Sequence, residues 1–215
     1  MPTNIRESVF ETNSSSTHTV VLRNDIACHY NDRLYFPVDL NDNKIVIRLR
    51  SYNWEHDWVL FPVEKVRYLF SYAASNCSNE LWGDEQFCAK YIDPIEDWDQ
   101  KEQVVLNEIN RRLNDVPNDS DSQCWKDLYE LIDLVKQFND CKASGVKLEC
   151  DSYGYGVDHQ SNYGTLEKFL RFNDVDSLRD FIFNDQYWLR ISNDNEEDYE
   201  LDEVLGRPHD DYEDY

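Results

Sequence analysis

With 215 residues, 44 acidic against 21 basic side chains and a formal charge of −23, the chain repels nucleic acid and anionic membranes and is expected to meet basic protein surfaces instead. An aromatic content of 14% within a 40% hydrophobic fraction excludes an intrinsically disordered chain. No stretch approaches the ~20 apolar residues of a membrane span, and a chain this long buries roughly 70% of its unfolded surface without needing staples.

The first half is β-rich. Thr17–Arg23 follows a Ser/Thr cluster, and Arg33–Val38 is a short aromatic and aliphatic run. Lys44–Arg50 alternates, with Ile45, Ile47 and Leu49 on one face and Lys44, Arg48 and Arg50 on the other. That cationic strip is expected to pair with the protein's own carboxylates. DLNDNK reads as the hairpin connection ahead of this strand, and Trp58–Phe61 adds another short strand.

Helices follow. Pro62 suits a first helical position, and Val66, Leu69, Phe70 and Ala73 fall at i, i+3, i+4 and i+7. Glu102–Leu113 repeats the pattern through Val105, Ile109 and Leu113, and Cys124–Phe138 carries Trp125, Leu128, Ile132 and Val135 as one stripe. The linker NDVPNDSDSQ between them predicts a helical hairpin from about Glu102 to Asn139. Val146–Cys150 and Tyr187–Ser192 return to strand. Between them two short helices are expected, Thr165–Phe172 and Ser177–Phe183, the second capped by Asp176. The fold class is therefore α+β: an antiparallel sheet with a helical hairpin and further short helices packed on it. Residues 1–192 form one domain, and 193–215 an acidic C-terminal tail.

The N-terminal MPTNIRESVF lacks the apolar core of a signal peptide. Cys28, Cys77, Cys88, Cys124, Cys141 and Cys150 are scattered without a C-x-x-C motif, as expected of free, buried thiols in a cytosolic protein.

Two polar constellations bear on chemistry. Glu11–His18 (ETNSSSTH) offers hydroxyls ahead of a histidine, suited to an anion-binding turn or to a serine such as Ser16 activated by His18. It equally fits a turn whose Asn and Ser side chains satisfy backbone groups. Asp151–Ser161 (DSYGYGVDHQS) contains His159, with Asp151 or Glu11 as its orienting carboxylate, or makes a Gly/Tyr-rich loop. Were the two segments to meet, Ser16, His18, Asp151 and His159 would form a hydrolase or transferase site for a phosphorylated or nucleotide substrate.

No metal or cofactor is expected. Glu55, His56 and Asp57 are consecutive and point in different directions, and Asn193–Glu203 lacks the glycine of a calcium loop at position six.

The acid is unevenly placed. From Asn193 to Tyr215 eleven carboxylates face one cation, Arg207, so this stretch holds −10 of the −23. Within it Asp194, Glu196, Glu197, Asp198 and Glu200 surround Tyr199. A second run, Asp93–Asp99 (DPIEDWD), sets Asp93, Glu96, Asp97 and Asp99 around Trp98. Aromatic anchors among carboxylates suit a protein interface.

The opening block RESVFETNSSSTHTVVL (6–22) resembles an N-terminal signature of proteins from tailed bacteriophages and their hosts, a group with no established activity. GVDHQSNYGTLEKFL (156–170) and FIFNDQYWLRISNDNEE (181–197) resemble further blocks of that group. The resemblance implies a phage setting, in which small acidic proteins often counter host defence by occupying nucleic-acid-binding surfaces. The leading expectation is a non-enzymatic inhibitor in the host cytosol. It would mimic the phosphate backbone to a basic host protein such as a defence nuclease, and would not bind nucleic acid itself.

Overall fold

In the computed structural model the described residues are 16–22, 34–52, 57–59, 61–115, 122–139, 142–150, 154–155, 175–184 and 187–193. In chain order they form β1 (Ser16–Leu22), β2 (Val38–Asp39), β3 (Lys44–Leu49), β4 (Asp57–Val59), α1 (Pro62–Gly83) and the single turn α2 (Glu85–Phe87). A π-helical turn (Cys88–Ile92), α3 (Trp98–Asp115), α4 (Gln123–Phe138), β5 (Gly145–Cys150), α5 (Val175–Phe183) and β6 (Tyr187–Asn193) follow. The protein is α+β.

The strands make two three-stranded sheets where one antiparallel sheet was expected. The first, ordered β1-β6-β4, is antiparallel and pairs the two ends of the described chain, Ser16 opposite Asn193 through Leu22 opposite Tyr187. The second, ordered β2-β3-β5, is mixed: β2 runs antiparallel to β3, whereas β5 runs parallel to it, from Lys44 opposite Gly145 to Leu49 opposite Cys150. Parallel neighbours need a long crossover, and α1 to α4 lie within it. The alternation in β3 buries Ile45, Ile47 and Leu49 and exposes Arg48, but it is the same for either strand direction.

The β2–β3 connection turns at residues 40–43, with the Asp39 carboxylate accepting from Asn41 N at 2.9 Å and Asn43 at φ 53°. Asparagine tolerates that left-handed conformation. The strand expected over Arg33–Val38 is cut short. Pro37 has no N–H for a ladder, so only Val38–Asp39 pairs, while Leu34 makes a single parallel bridge to Asn139. Helix α5 begins at Val175, so Asp176 lies inside it and not at the cap. The helix expected at 165–172 lies outside the described residues.

Helix α1 is the centre of the molecule. Every residue from Tyr68 to Ala74 is buried, which marks a helix covered all round. It packs against α3, α4, α5, β3 and β4. The helices expected as a hairpin, α3 and α4, both lie on α1 and meet where Tyr129 Oη donates to Arg112 O at 2.9 Å. Glu80 ties α1 to the start of α4, accepting from Ser122 Oγ and from Trp125 Nε1 (3.1 Å).

Lys65, fully buried on α1, donates to Phe181 O at 2.9 Å and Asn184 O at 3.0 Å. It thereby serves carbonyls that the end of α5 would otherwise leave unsatisfied. The outer edge of β5 is closed by α3: Asn110 donates to Leu148 O (2.9 Å) and accepts from Leu148 N (2.8 Å), while Asn114 Nδ2 reaches Val146 O (3.1 Å).

The four described cysteines, Cys77, Cys88, Cys124 and Cys150, are free thiols. No helix among the described residues is long and apolar enough to cross a membrane.

Candidate protein-interaction surface

The segment joining α1 to α3 is held by its own caps. At the end of α1 the Asp84 N–H bonds Leu81 O, and the Asp84 carboxylate accepts from Gln86 N (3.0 Å) and Phe87 N (3.1 Å), starting α2. The π turn closes with Asp93 N on Cys88 O at 2.9 Å, and buried Phe87 and Ile92 pin it to the core. The Cys88 thiol lies against Leu81 O and Trp82 O, in the last turn of α1. Asp97 then caps α3, its carboxylate accepting from Gln100 N at 2.9 Å and its carbonyl from Lys101 N.

These caps fix Trp98 as the first residue of α3. Its indole stacks on Trp82, ring centroids 5.3 Å apart and planes 7° from parallel, and Nε1 donates to Glu102 Oε1 at 3.2 Å. Trp98 is nevertheless 60% exposed. With one face covered by Trp82, the exposed area belongs to the opposite face and the ring edge.

Along the segment that ends at this helix start, which forms an acidic ledge, Asp84, Glu85, Asp93, Glu96, Asp97 and Asp99 are all exposed, six carboxylates against one cation, Lys90, over residues 84–99. Lys90 itself sits over the Tyr91 ring at 4.7 Å. Burial, then the charges of Asp93 and Asp84, push the Cys88 thiol above its ordinary value, against the pull of Lys101. The thiol thus senses the negative potential of this ledge.

Among the described residues six cations pair with the protein's own acids. Lys44 pairs with Asp42 (3.7 Å), Arg48 with Glu149 (3.8 Å), Lys147 with Asp39 and Glu149, Arg67 with Glu64, and Arg111 and Arg112 with Glu108. The strip on β3 is therefore met by the protein's own acids, and Arg50 lies over the Tyr52 ring. Among the described residues Asp93, Glu96, Asp97 and Asp99 make no ion pair.

Of the sequence-derived candidates, then, Asp93, Glu96, Asp97, Trp98 and Asp99 are all exposed along the run that leads into α3. Asp194, Glu196, Glu197, Asp198, Tyr199 and Glu200 lie outside the described residues. So do Asp151 and His159, while Ser16 and His18 sit in β1 opposite Asn193 and Ile191 of β6. Trp82, Asp84, Glu85, Tyr91 and Glu102 escaped the sequence reading. The Gly83-Asp84 stop and restart, and the i, i+4 spacing of Trp98 and Glu102, were the available signals. Among the described residues no group of three or more His, Cys, Asp or Glu is placed to hold a metal ion. In comparisons with protein-family models, curated proteins and solved structures, nothing matches this chain.

Proposed function

We propose that this protein is a phage-encoded acidic inhibitor that occupies the basic nucleic-acid-binding surface of a host protein, such as a defence nuclease, in the host cytosol. The observation that supports this reading is the ledge at Asp93–Asp99, with exposed carboxylates free of internal ion pairs around a solvent-facing tryptophan. Duplex DNA presents one charge per ~1.7 Å of axis, and spaced carboxylates on an ordered surface compete for the same Lys/Arg groove. The formal charge of −23 steers a basic partner toward the molecule, while Trp98 supplies apolar contact area that charge alone lacks.

The test is capture from host lysate at ~100 mM salt followed by a step to ~500 mM, which shortens the screening length to a few ångströms. A basic nucleic-acid-binding protein should be retained and then released. Changing Asp93, Asp97 and Asp99 to Asn and Glu96 to Gln should weaken its binding about tenfold, or about 1.4 kcal/mol. A partner bound as tightly by that variant and by a second with Asp194, Glu196, Glu197 and Asp198 neutralised would refute the proposal.

A further inference from the structure

The molecule contains an occupied version of the arrangement that Trp98 presents open. At Trp125 the indole Nε1 donates to the Glu80 carboxylate at 3.1 Å, and the Arg112 guanidinium lies over the ring at 5.0 Å. At Trp98 the indole Nε1 likewise donates to a carboxylate, Glu102, at 3.2 Å. Trp82 stacks on its inner face, and no described cation lies over its outer face.

We propose that the outer face of Trp98 is an arginine-binding platform, the element by which the acidic ledge selects arginine over lysine in its partner. This rests on the reading of the ledge as a surface for a basic protein. Two features favour a guanidinium, and a third strengthens the site for any cation. It is planar and weakly hydrated, so it stacks on an indole while keeping its N–H groups in the ring plane for hydrogen bonding. Asp99, next to Trp98 in sequence, is exposed and ready to accept those N–H groups, and Asp97, whose Oδ1 caps α3 through Gln100 N, has its second carboxylate oxygen for the same use. Finally, a carboxylate on the indole N–H pushes electron density into the ring, which strengthens its attraction for a cation on the face. Stacking on Trp82 and the Glu102 bond hold the platform in place, so little side-chain freedom is lost on binding.

The experiment uses the full chain labelled with 5-fluorotryptophan, the Trp98 resonance being assigned from its loss in Trp98→Leu. It is titrated with octa-arginine and with octa-lysine peptides at ~150 mM salt. Octa-arginine should bind about fivefold more tightly and shift the Trp98 resonance, with octa-lysine leaving it nearly unmoved. Trp98→Leu keeps an apolar cover on Trp82 but has no π face, and it should bring the two affinities together; its folding is checked by circular dichroism. Glu102→Gln should weaken octa-arginine binding with Trp98 present. Equal binding of both peptides with Trp98 unmoved would overturn the platform and leave the acidic-surface reading standing. If neither peptide binds, both fall.

Discussion

Glu108 shows how single charges are used away from the ledge. On α3 it accepts from Arg111 Nε (2.7 Å) and Arg111 Nη2 (2.8 Å) and from Arg112 Nε (2.8 Å). The Arg111 bonds first, then Arg112, hold its carboxyl below the usual carboxylate range, against a desolvation that works the other way. A carboxyl with a lowered folded pKa stabilises the protein above its unfolded value, and that contribution is lost as pH falls through the folded value. Glu108→Gln should therefore narrow the drop in urea midpoint between about pH 5 and pH 3. Parallel acid limbs for the two proteins would show that the cluster is screened to insignificance, as exposed pairs often are. Elsewhere burial sets the chemistry. Cys77 is pushed far up by burial and by its neighbour Cys124, and so stays a thiol, while burial pushes the Tyr155 phenol up to about 12.

At the scale of elements, the junction of α3 and β5 is the most closely fitted. A Cβ on Gly145 would lie 2.4 Å from Asn114 Oδ1, and that amide is already committed through Nδ2 to Asn110 O (2.7 Å) and Val146 O (3.1 Å). Gly145→Ala should displace the Asn114 side chain and cost about 1–2 kcal/mol, the scale of one or two hydrogen bonds at a part-buried edge. Asn114→Ala should cost a similar amount, and the double variant little more than either alone. Additive costs, measured by denaturant unfolding, would show that the two residues act independently. The asparagines do for β5 what a further strand would do: they occupy N–H and C=O groups that would otherwise offer a pairing edge. The same element, α3, thus closes a sheet edge with its middle and presents Trp98 from its first turn.

Across the whole molecule, the charge has a thermodynamic as well as a functional consequence. With 44 acidic against 21 basic side chains, a large negative excess is left to repel itself. Screening should relieve that repulsion: Tm should rise by about 2–5 °C between ~10 and ~300 mM NaCl. A Tm that falls with salt would mean that the ion pairs outweigh the repulsion. The two salt effects then oppose one another, since the salt that steadies the free protein also weakens its hold on a basic partner. Binding measured against salt should be read with the unfolding curve beside it.

Most elements were legible in the residues themselves, because hydrophobic period and turn chemistry are local. The alternation of β3, the stripes of α1, α3 and α4, and the strands at Gly145–Cys150 and Tyr187–Asn193 all follow from which side chains recur at two or at three and four residues. The acidic run around Trp98 was equally plain, since charge and exposure go together. Partners were not legible. The direction in which β5 meets β3, a hundred residues away, leaves no mark on either strand's pattern. The one-turn α2 and the π turn were too short to show a period. The stacking of Trp82 on Trp98 also depends on how two caps, Asp84 and Asp97, aim the ends of α1 and α3. Composition and period determined an acidic α+β protein with an aromatic-acidic segment. Only the packing around α1 decided which strands pair and which face of Trp98 meets solvent, because both are set by contacts between residues far apart in the chain.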